Sequence, residues 1–339
     1  MDVVQLLLYI GLIVISTAVV WQGSFILESA AEGLSEYYRL PPVVQGSVVV
    51  AVGSSFPELS STVLATLVHG QFDLGVAAIV GSAIFNILVI PGISGLVGNR
   101  LSADKLLVYK DAQFYITSIT VLLLAFTLAV IYNPVSKGSL EGQMNRLIAL
   151  MPLCLYGVYL FLQQQDTLEE NKGSNHQPPE DIRIGREWLK LLFSLVLIVA
   201  SVEGLVSGAI GLGEILNTPS FLWGITVIAA ATSLPDAFVS IRAAQKGDDI
   251  ISLSNVLGSN IFDLLVAIPV GVMIAGASII NFAVAAPMMG VLTFATIVLF
   301  AMLRTGLVLS KKECFVLLGM YGLFVTWMVL ETFEITNVI

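Results

Sequence analysis

Gly53-Ser54-Ser55-Phe56-Pro57-Glu58 stands midway along an apolar run from 42 to 68. Ala231-Thr232-Ser233-Leu234-Pro235-Asp236 repeats its pattern 178 positions later, inside a run from 219 to 243. Each run has the roughly 20 apolar residues needed to cross a hydrocarbon core of about 30 Å, and backbone groups in lipid must bond internally, so both read as membrane helices. A proline within such a helix has no N–H to donate, and its ring crowds the carbonyl four residues back. The oxygens of Gly53 and Ala231 therefore lose their usual donors. Free carbonyls beside an acid at bilayer depth are cation ligands.

Moving outward, the same offset of 178 places Pro41 on Pro219, Gly46 on Gly224 and Ser55 on Ser233. An offset of 177 places Gly81-Ser82-Ala83-Ile84-Phe85-Asn86 on Gly258-Ser259-Asn260-Ile261-Phe262-Asp263. The chain contains an internal repeat. In all four segments a hydroxyl precedes a carboxylate or amide by four residues: Ser54 and Glu58, Ser82 and Asn86, Thr232 and Asp236, Ser259 and Asp263. Where the helix is regular, that spacing projects both oxygens from one face. Gly81 and Gly258 are expected to let their helices approach the proline-broken ones closely.

The expected product is an all-oxygen cage. Hard cations such as Ca²⁺ and Na⁺ take such ligands, Ca²⁺ about six to eight of them. With no Cys or His nearby, soft transition metals are disfavoured. The ordinary reading of a membrane acid is snorkelling or an ion pair, but no span core holds a basic residue to pair with Glu58, Asp236 or Asp263. Intramembrane carboxylates are costly and functional by default. Serines and threonines alone would carry less, because helices often bury hydroxyls bonded to their own backbone.

The remainder of the chain agrees. Of 339 residues 57% are hydrophobic and 12% charged, against about a quarter charged in soluble proteins. Soluble readings, nucleic-acid binders among them, are excluded. Ten spans are predicted, at 3–21, 42–68, 74–98, 111–132, 146–163, 189–212, 219–243, 251–275, 281–303 and 314–331. The first has no basic leader and no clear small-residue cleavage site, so it reads as a retained span and not a signal peptide. With the N-terminus outside, thirteen of the fifteen Lys and Arg residues fall in cytoplasmic loops, and only Lys137 and Arg146 fall outside; this asymmetry predicts an N-out, C-out topology.

Gln163 to Glu187 is the one substantial hydrophilic segment. The expected organisation is a first repeat over 1–163, a cytoplasmic linker over 164–187 and a second repeat over 188–339. Five spans per half is an odd number, so the copies lie upside down relative to each other. The predicted fold is an all-α membrane protein of ten transmembrane helices in two inverted-topology repeats. Inverted repeats with matching interrupted helices place a transporter's binding site between them. The net charge of −9 comes largely from loops and reads as solvation. Cys154 and Cys314 sit in apolar helices as small hydrophobes, and His69 and His176 receive no role. Glu203, a mid-helix acid of the sixth span whose repeat counterpart is Phe25, reads either as a gating residue or as a local polar contact.

Glu58 is followed 28 residues later by Asn86, and Asp236 27 residues later by Asp263. With Gly-Ser-Ser-x-Pro-Glu and Thr-Ser-Leu-Pro-Asp at that spacing from Gly-Ser-x-x-x-Asn and Gly-Ser-Asn-Ile-Phe-Asp, the chain resembles the cation/Ca²⁺ antiporter superfamily. The sodium/calcium exchangers are most similar. The resemblance implies Ca²⁺ exchanged for Na⁺ by alternating access in a multi-pass plasma-membrane protein that is not an enzyme and carries no resident cofactor. Its partners would be lipids and small inorganic cations. It also implies that Glu58 and Asp236 are central Ca²⁺ carboxylates surrounded by oxygens of Ser54, Ser55, Thr232 and Ser233, with Ser82, Asn86, Ser259 and Asp263 completing flanking Na⁺ sites. Asp236 departs from many prokaryotic relatives, which carry Glu there; Pro-Asp is common in animal exchangers, including the potassium-dependent branch.

Three ionised carboxylates give the empty site a charge of −3, and burial penalises residual charge. Three Na⁺ would cancel it. One Ca²⁺ leaves −1, removable by a proton on Asp263 or a K⁺ beside it. Alternatives are therefore a Ca²⁺/H⁺ exchanger and a K⁺-dependent Na⁺/Ca²⁺ exchanger. An intramembrane aspartyl protease is the enzyme-class rival, but Asp236 and Asp263 lack the Gly-x-Gly-Asp context of such enzymes.

Overall fold

The computed structural model describes residues 3–38, 51–98, 100–136, 138–170, 183–332 and 335–336. The beginning of the second predicted span with Pro41 and Gly46, the basic residues Arg39, Lys137 and Lys172, His176 and the middle of the predicted linker lie outside the described residues.

The first helix, α1 (Val3–Tyr37), runs well past its apolar stretch, because the Ala, Glu and Leu residues from Leu27 to Glu36 are strong helix formers that prolong it. Next come α2 (Ala51–Ser54) and α3 (Phe56–Leu67), separated at Ser55, then α4 (Phe72–Val97). The chain continues through β1 (Leu101–Ser102), α5 (Leu107–Tyr132), β2 (Glu141–Asn145) and α6 (Arg146–Glu170). The second half holds α7 (Ile184–Leu216), α8 (Ser220–Thr232), α9 (Leu234–Lys246) and α10 (Asp249–Ala275). It closes with β3 (Ala277–Asn281), α11 (Phe282–Arg304), β4 (Val308–Leu309) and α12 (Lys311–Thr332).

Among the described residues, eight helices are long and apolar enough to cross a membrane, or nine if α8 and α9 form one span bent by 44°. The chain is a multi-pass integral membrane protein. The second predicted span appears as α2 and α3, and its start falls outside the described residues.

Burial sorts the helices. The apolar window of α4 is 89% buried and that of α10 is 72% buried, against 11% for α1. Helices α4 and α10 are therefore the axis of the bundle, while α1 presents most of its surface to lipid. A large apolar cluster surrounds the axis with side chains such as Ile84, Phe126, Ile261 and Leu292. A second cluster joins α1 and α7 to α3 and α4 through Val20, Val202, Ala65 and Ala78. Helices α1 and α7 lie antiparallel, with Tyr9 against Gly211, Ile13 against Gly208 and Ile198 against Gly23. Small residues on each permit that close contact.

Two short antiparallel ribbons clasp the bundle, β1 with β4 and β2 with β3. At two to five residues their strands are too short to leave an alternation in the sequence, and the all-α expectation passes over them. Each ribbon joins a strand from the first half of the chain to one from the second. Two acids reinforce the exchange: Asp249 Oδ2 accepts from the Ser102 amide at 2.9 Å, and Asp73 Oδ1 accepts from the Asn281 amide at 3.2 Å. Because α5 separates β1 from β2 and, at 26 residues, is about 39 Å long, the two ribbons sit at opposite ends of the bundle.

Candidate functional site

The proline motifs break their helices at equivalent residues. Ser55 (φ −93°, ψ 10°) separates α2 from α3, and Ser233 (φ −78°, ψ −7°) separates α8 from α9. Pro57 and Pro235 thereby fall in the first turn of a new helix, where a missing N–H costs nothing. Glu58 and Asp236 follow directly, still in that first turn. A helix N-terminus carries partial positive charge and favours an acid there. The break that frees carbonyl oxygens thus also gives each buried carboxylate a favourable dipole.

The axial helices close around the breaks. A Cβ at Gly81 would overlap the Ile225 carbonyl and come within 2.7 Å of the Ala229 Cβ, so α4 touches α8 because Gly81 has no side chain. At Gly258 no described atom lies within 4 Å of such a Cβ; residues 42–50, which the repeat would set against it, lie outside the described residues.

Every motif side chain the sequence singles out is buried, with Glu58, Asp236 and Asp263 all 0% exposed. Ser54 Oγ lies 3.2 Å from Ser259 Oγ, and Ser82 Oγ 2.7 Å from Ser233 Oγ. Each contact joins a broken helix of one half to the axial helix of the other, but through neighbouring steps of the repeat, since Ser54 corresponds to Thr232 and Ser55 to Ser233. Ser82 also donates to Glu58 Oε1 at 3.4 Å, and Asn86 donates to Asp236 Oδ2 at 3.2 Å. Asp263 lies within electrostatic reach of both Glu58 and Asp236. Among the described residues no cation pairs with any of the three carboxylates.

Six buried oxygens in this cluster have no hydrogen-bond partner: Ser55 Oγ, Glu58 Oε2, Asn86 Oδ1, Asp236 Oδ1 and both carboxylate oxygens of Asp263. Buried polar atoms are rarely left unpaired, and each such group calls for an explanation. Five of the six are acceptors only, and the Ser55 hydroxyl adds lone pairs to its own proton, a set that complements a hard cation. Among the described residues no three acidic, His or Cys side chains stand together as a metal cluster. The oxygens gathered here are carboxylates mixed with hydroxyl and amide oxygens.

Thr232 behaves differently, its hydroxyl donating along its own helix to the Ile228 and Ala229 carbonyls at 3.1 and 3.4 Å. Ser233 likewise donates to the Ala229 carbonyl at 2.7 Å. Gly53 and Ala231 lie in the turns ahead of the prolines, with Ala231 buried. Asp263 opens a π-helical turn, Asp263–Ala267, whereas its counterpart Asn86 lies in regular α-helix. Such wide turns recur at functional sites; here one sets Asp263 apart in backbone as well as in charge.

Asn260 and Tyr115 escape the sequence reading. Asn260 donates to the Ala83 carbonyl at 3.2 Å and to Tyr115 Oη at 2.9 Å, and it accepts from Asn86 at 3.0 Å. Its repeat counterpart is the apolar Ala83, so a search for matched polar pairs passes over it. His69, to which the sequence assigns no role, has one as a partner: its Nε2 stands 2.8 Å from Glu203 Oε1, which also accepts from Ser207 at 3.0 Å. Glu203 therefore makes a local polar contact.

An apolar helical bundle around a buried, acceptor-rich polar core defines a multi-pass membrane protein with its polar site inside the bundle. The chain belongs to the family described as sodium/calcium exchanger protein, whose model matches residues 8–164 and 187–330. The putative antiporter CaxA of Alkalimonas amylolytica is 28% identical over 276 residues, covering 81% of this chain and 82% of that protein. Two solved structures share the fold. The sodium-calcium exchanger NCX_Mj matches with a TM-score of 0.62 at 21% identity, over 95% of this chain and 99% of that one. The H⁺/Ca²⁺ exchanger CAX matches with a TM-score of 0.69 at 17% identity, over 96% of this chain and 87% of that one.

Proposed function

We propose that this protein is a secondary antiporter of the cell membrane that exchanges Ca²⁺ for Na⁺ by alternating access. The observation that carries the reading is the set of six buried oxygens without hydrogen-bond partners, five of them pure acceptors, gathered from the broken helices and the axial pair α4 and α10. Glu58 and Asp236 are the central Ca²⁺ ligands, assisted by Ser54, Ser55, Thr232 and Ser233 and by the Gly53 and Ala231 carbonyls. Ser82, Asn86, Ser259 and Asp263 supply flanking Na⁺ positions. Three Na⁺ neutralise the three carboxylates as fully as one Ca²⁺ and one further positive charge, so the two loads can alternate without leaving net charge in low dielectric.

The proposed topology has ten spans, N-out and C-out, in two inverted repeats of five. The reciprocal ribbons support it: β1 and β4 fall on one side of the membrane in that topology and β2 and β3 on the other, matching their pairing.

A second reading rests on Asp263, whose two oxygens are unpartnered and whose backbone departs from that of Asn86. A proton or K⁺ at Asp263 would then accompany Ca²⁺, and coupling would involve H⁺ or K⁺. The test is ⁴⁵Ca²⁺ uptake into proteoliposomes with Na⁺, K⁺ and pH gradients imposed singly. An outward Na⁺ gradient is expected to drive uptake; uptake driven by pH and indifferent to Na⁺ would overturn the Na⁺ reading.

A further inference from the structure

The acceptor-rich core has an extension on α1 that the motifs do not include. Glu28, Glu32 and Glu36 follow one another at intervals of four residues near the C-terminal end of α1, and this spacing keeps them along one side of the helix. Glu32 and Glu36 are exposed and Glu28 is half-buried. With 1.5 Å of rise per residue, Glu28 lies about 13 Å inside the helix end.

Glu28 also borders the central site. Its Cα lies 3.8 Å from the position a Cβ on Gly53 would take, and its carboxylate feels the charges of Glu32 and Asp236. One turn deeper on the same side of α1, Ser24 is 2% exposed, and its Oγ has no hydrogen-bond partner. Interfacial solvation accounts for Glu32 and Glu36. It does not account for Glu28, half-buried beside Gly53, nor for a buried hydroxyl left unpaired one turn beyond it. Like charges one turn apart repel, and a positive ion between them turns that repulsion into attraction. At the mouth Glu36 shares a cavity with Arg183, Arg186 and Lys190, so the stretch that favours cations begins at Glu32.

We propose that Ser24 and Glu28, beside Gly53, form an outer station for an alkali or alkaline-earth cation moving between the α1 C-terminal face of the membrane and the central carboxylates. The proposal rests on the exchange reading for its transport role, but not for the binding itself.

The test uses the full-length protein with Glu28→Gln, Glu28→Asp and Ser24→Ala. In proteoliposomes of defined orientation, Glu28→Gln is expected to raise the Ca²⁺ concentration for half-maximal flux by about tenfold on the α1 C-terminal face. The other face should respond far less, and Glu28→Asp should restore most of the loss. Equilibrium ⁴⁵Ca²⁺ binding to purified Asp236→Asn protein, in which the central site is weakened, should retain a weak component that vanishes when Glu28→Gln or Ser24→Ala is added. Equal half-saturation on both faces in Glu28→Gln, or residual binding indifferent to Glu28, overturns the station. Glu28-dependent binding in a protein that exchanges no Ca²⁺ would sink the exchange reading and leave the station standing.

Discussion

Asn86 on α4 donates its amide both to Asp236 on α9, at 3.2 Å, and to Asn260 on α10, at 3.0 Å. One side chain thus ties the acid of the second proline motif to the helix that carries Asp263. Asn86→Asp would replace that donor by a carboxylate at hydrogen-bond distance from Asp236, and two buried acids so close cannot both ionise cheaply. Losing a hydrogen bond to a charged group costs about 1.5–3 kcal/mol, so Ca²⁺ flux near neutral pH should fall by about tenfold or more. Protonation of the new acid restores a donor, so flux should recover as pH is lowered. Initial rates of ⁴⁵Ca²⁺ uptake across a pH series check both the loss and its sign.

Asp263→Asn makes the two axial helices alike at this position. With two carboxylates in place of three, a single Ca²⁺ balances the site without a companion ion. Ca²⁺ binding is expected to persist while dependence on K⁺ or pH changes. Calorimetric binding set beside flux at varied K⁺ and pH separates the two effects, and lost binding with unaltered dependence would refute the assignment.

The parts of this site legible in the sequence are those the repeat writes twice. Ser55 and Ser233 break their helices with near-identical backbones, and Glu58 and Asp236 are buried at the same step beyond each break. What escaped has no echo in the other half. Asn260 stands opposite an alanine, Tyr115 belongs to no motif, and the π-helical turn at Asp263 leaves no mark in residue spacing. The ribbons escaped for a different reason, because strands this short are specified by the partner they meet and not by their own pattern. His69 and Glu203 are 134 positions apart, and only the packing of α3 and α7 brings them together.

Gly81→Ala is expected to destabilise the protein, since the added methyl meets a backbone carbonyl that cannot move aside. Overpacking of this kind costs about 1–3 kcal/mol. Gly290→Ala, on α11 with no atom within 4 Å of the new methyl, is the control and should leave the melting temperature unchanged or slightly raised. Thermal unfolding of the purified proteins in detergent measures the difference.

His69 and Glu203 form a contact with side chains 21% and 36% exposed. Pairs with this much solvent access couple by roughly 1 kcal/mol or less. A double-mutant cycle over His69→Ala and Glu203→Gln should therefore return a small positive coupling in thermal stability, reduced at high salt. Coupling of several kcal/mol would mean that the pair is shielded in the membrane and holds α3 to α7 more firmly than its exposure suggests.

The ribbons bear on how such a protein can be divided or assembled. Strand β1 is laddered to β4, and β2 to β3, so a polypeptide ending after α6 would leave both strands without those partners, one at each end of α5. In the proposed topology the complementary edges belong to a copy inserted in the opposite sense. Two half-length polypeptides made separately would thus be obligate partners, and an ancestral half could have worked only as a dual-orientation dimer, with the fused linker later fixing what insertion in both directions had first supplied.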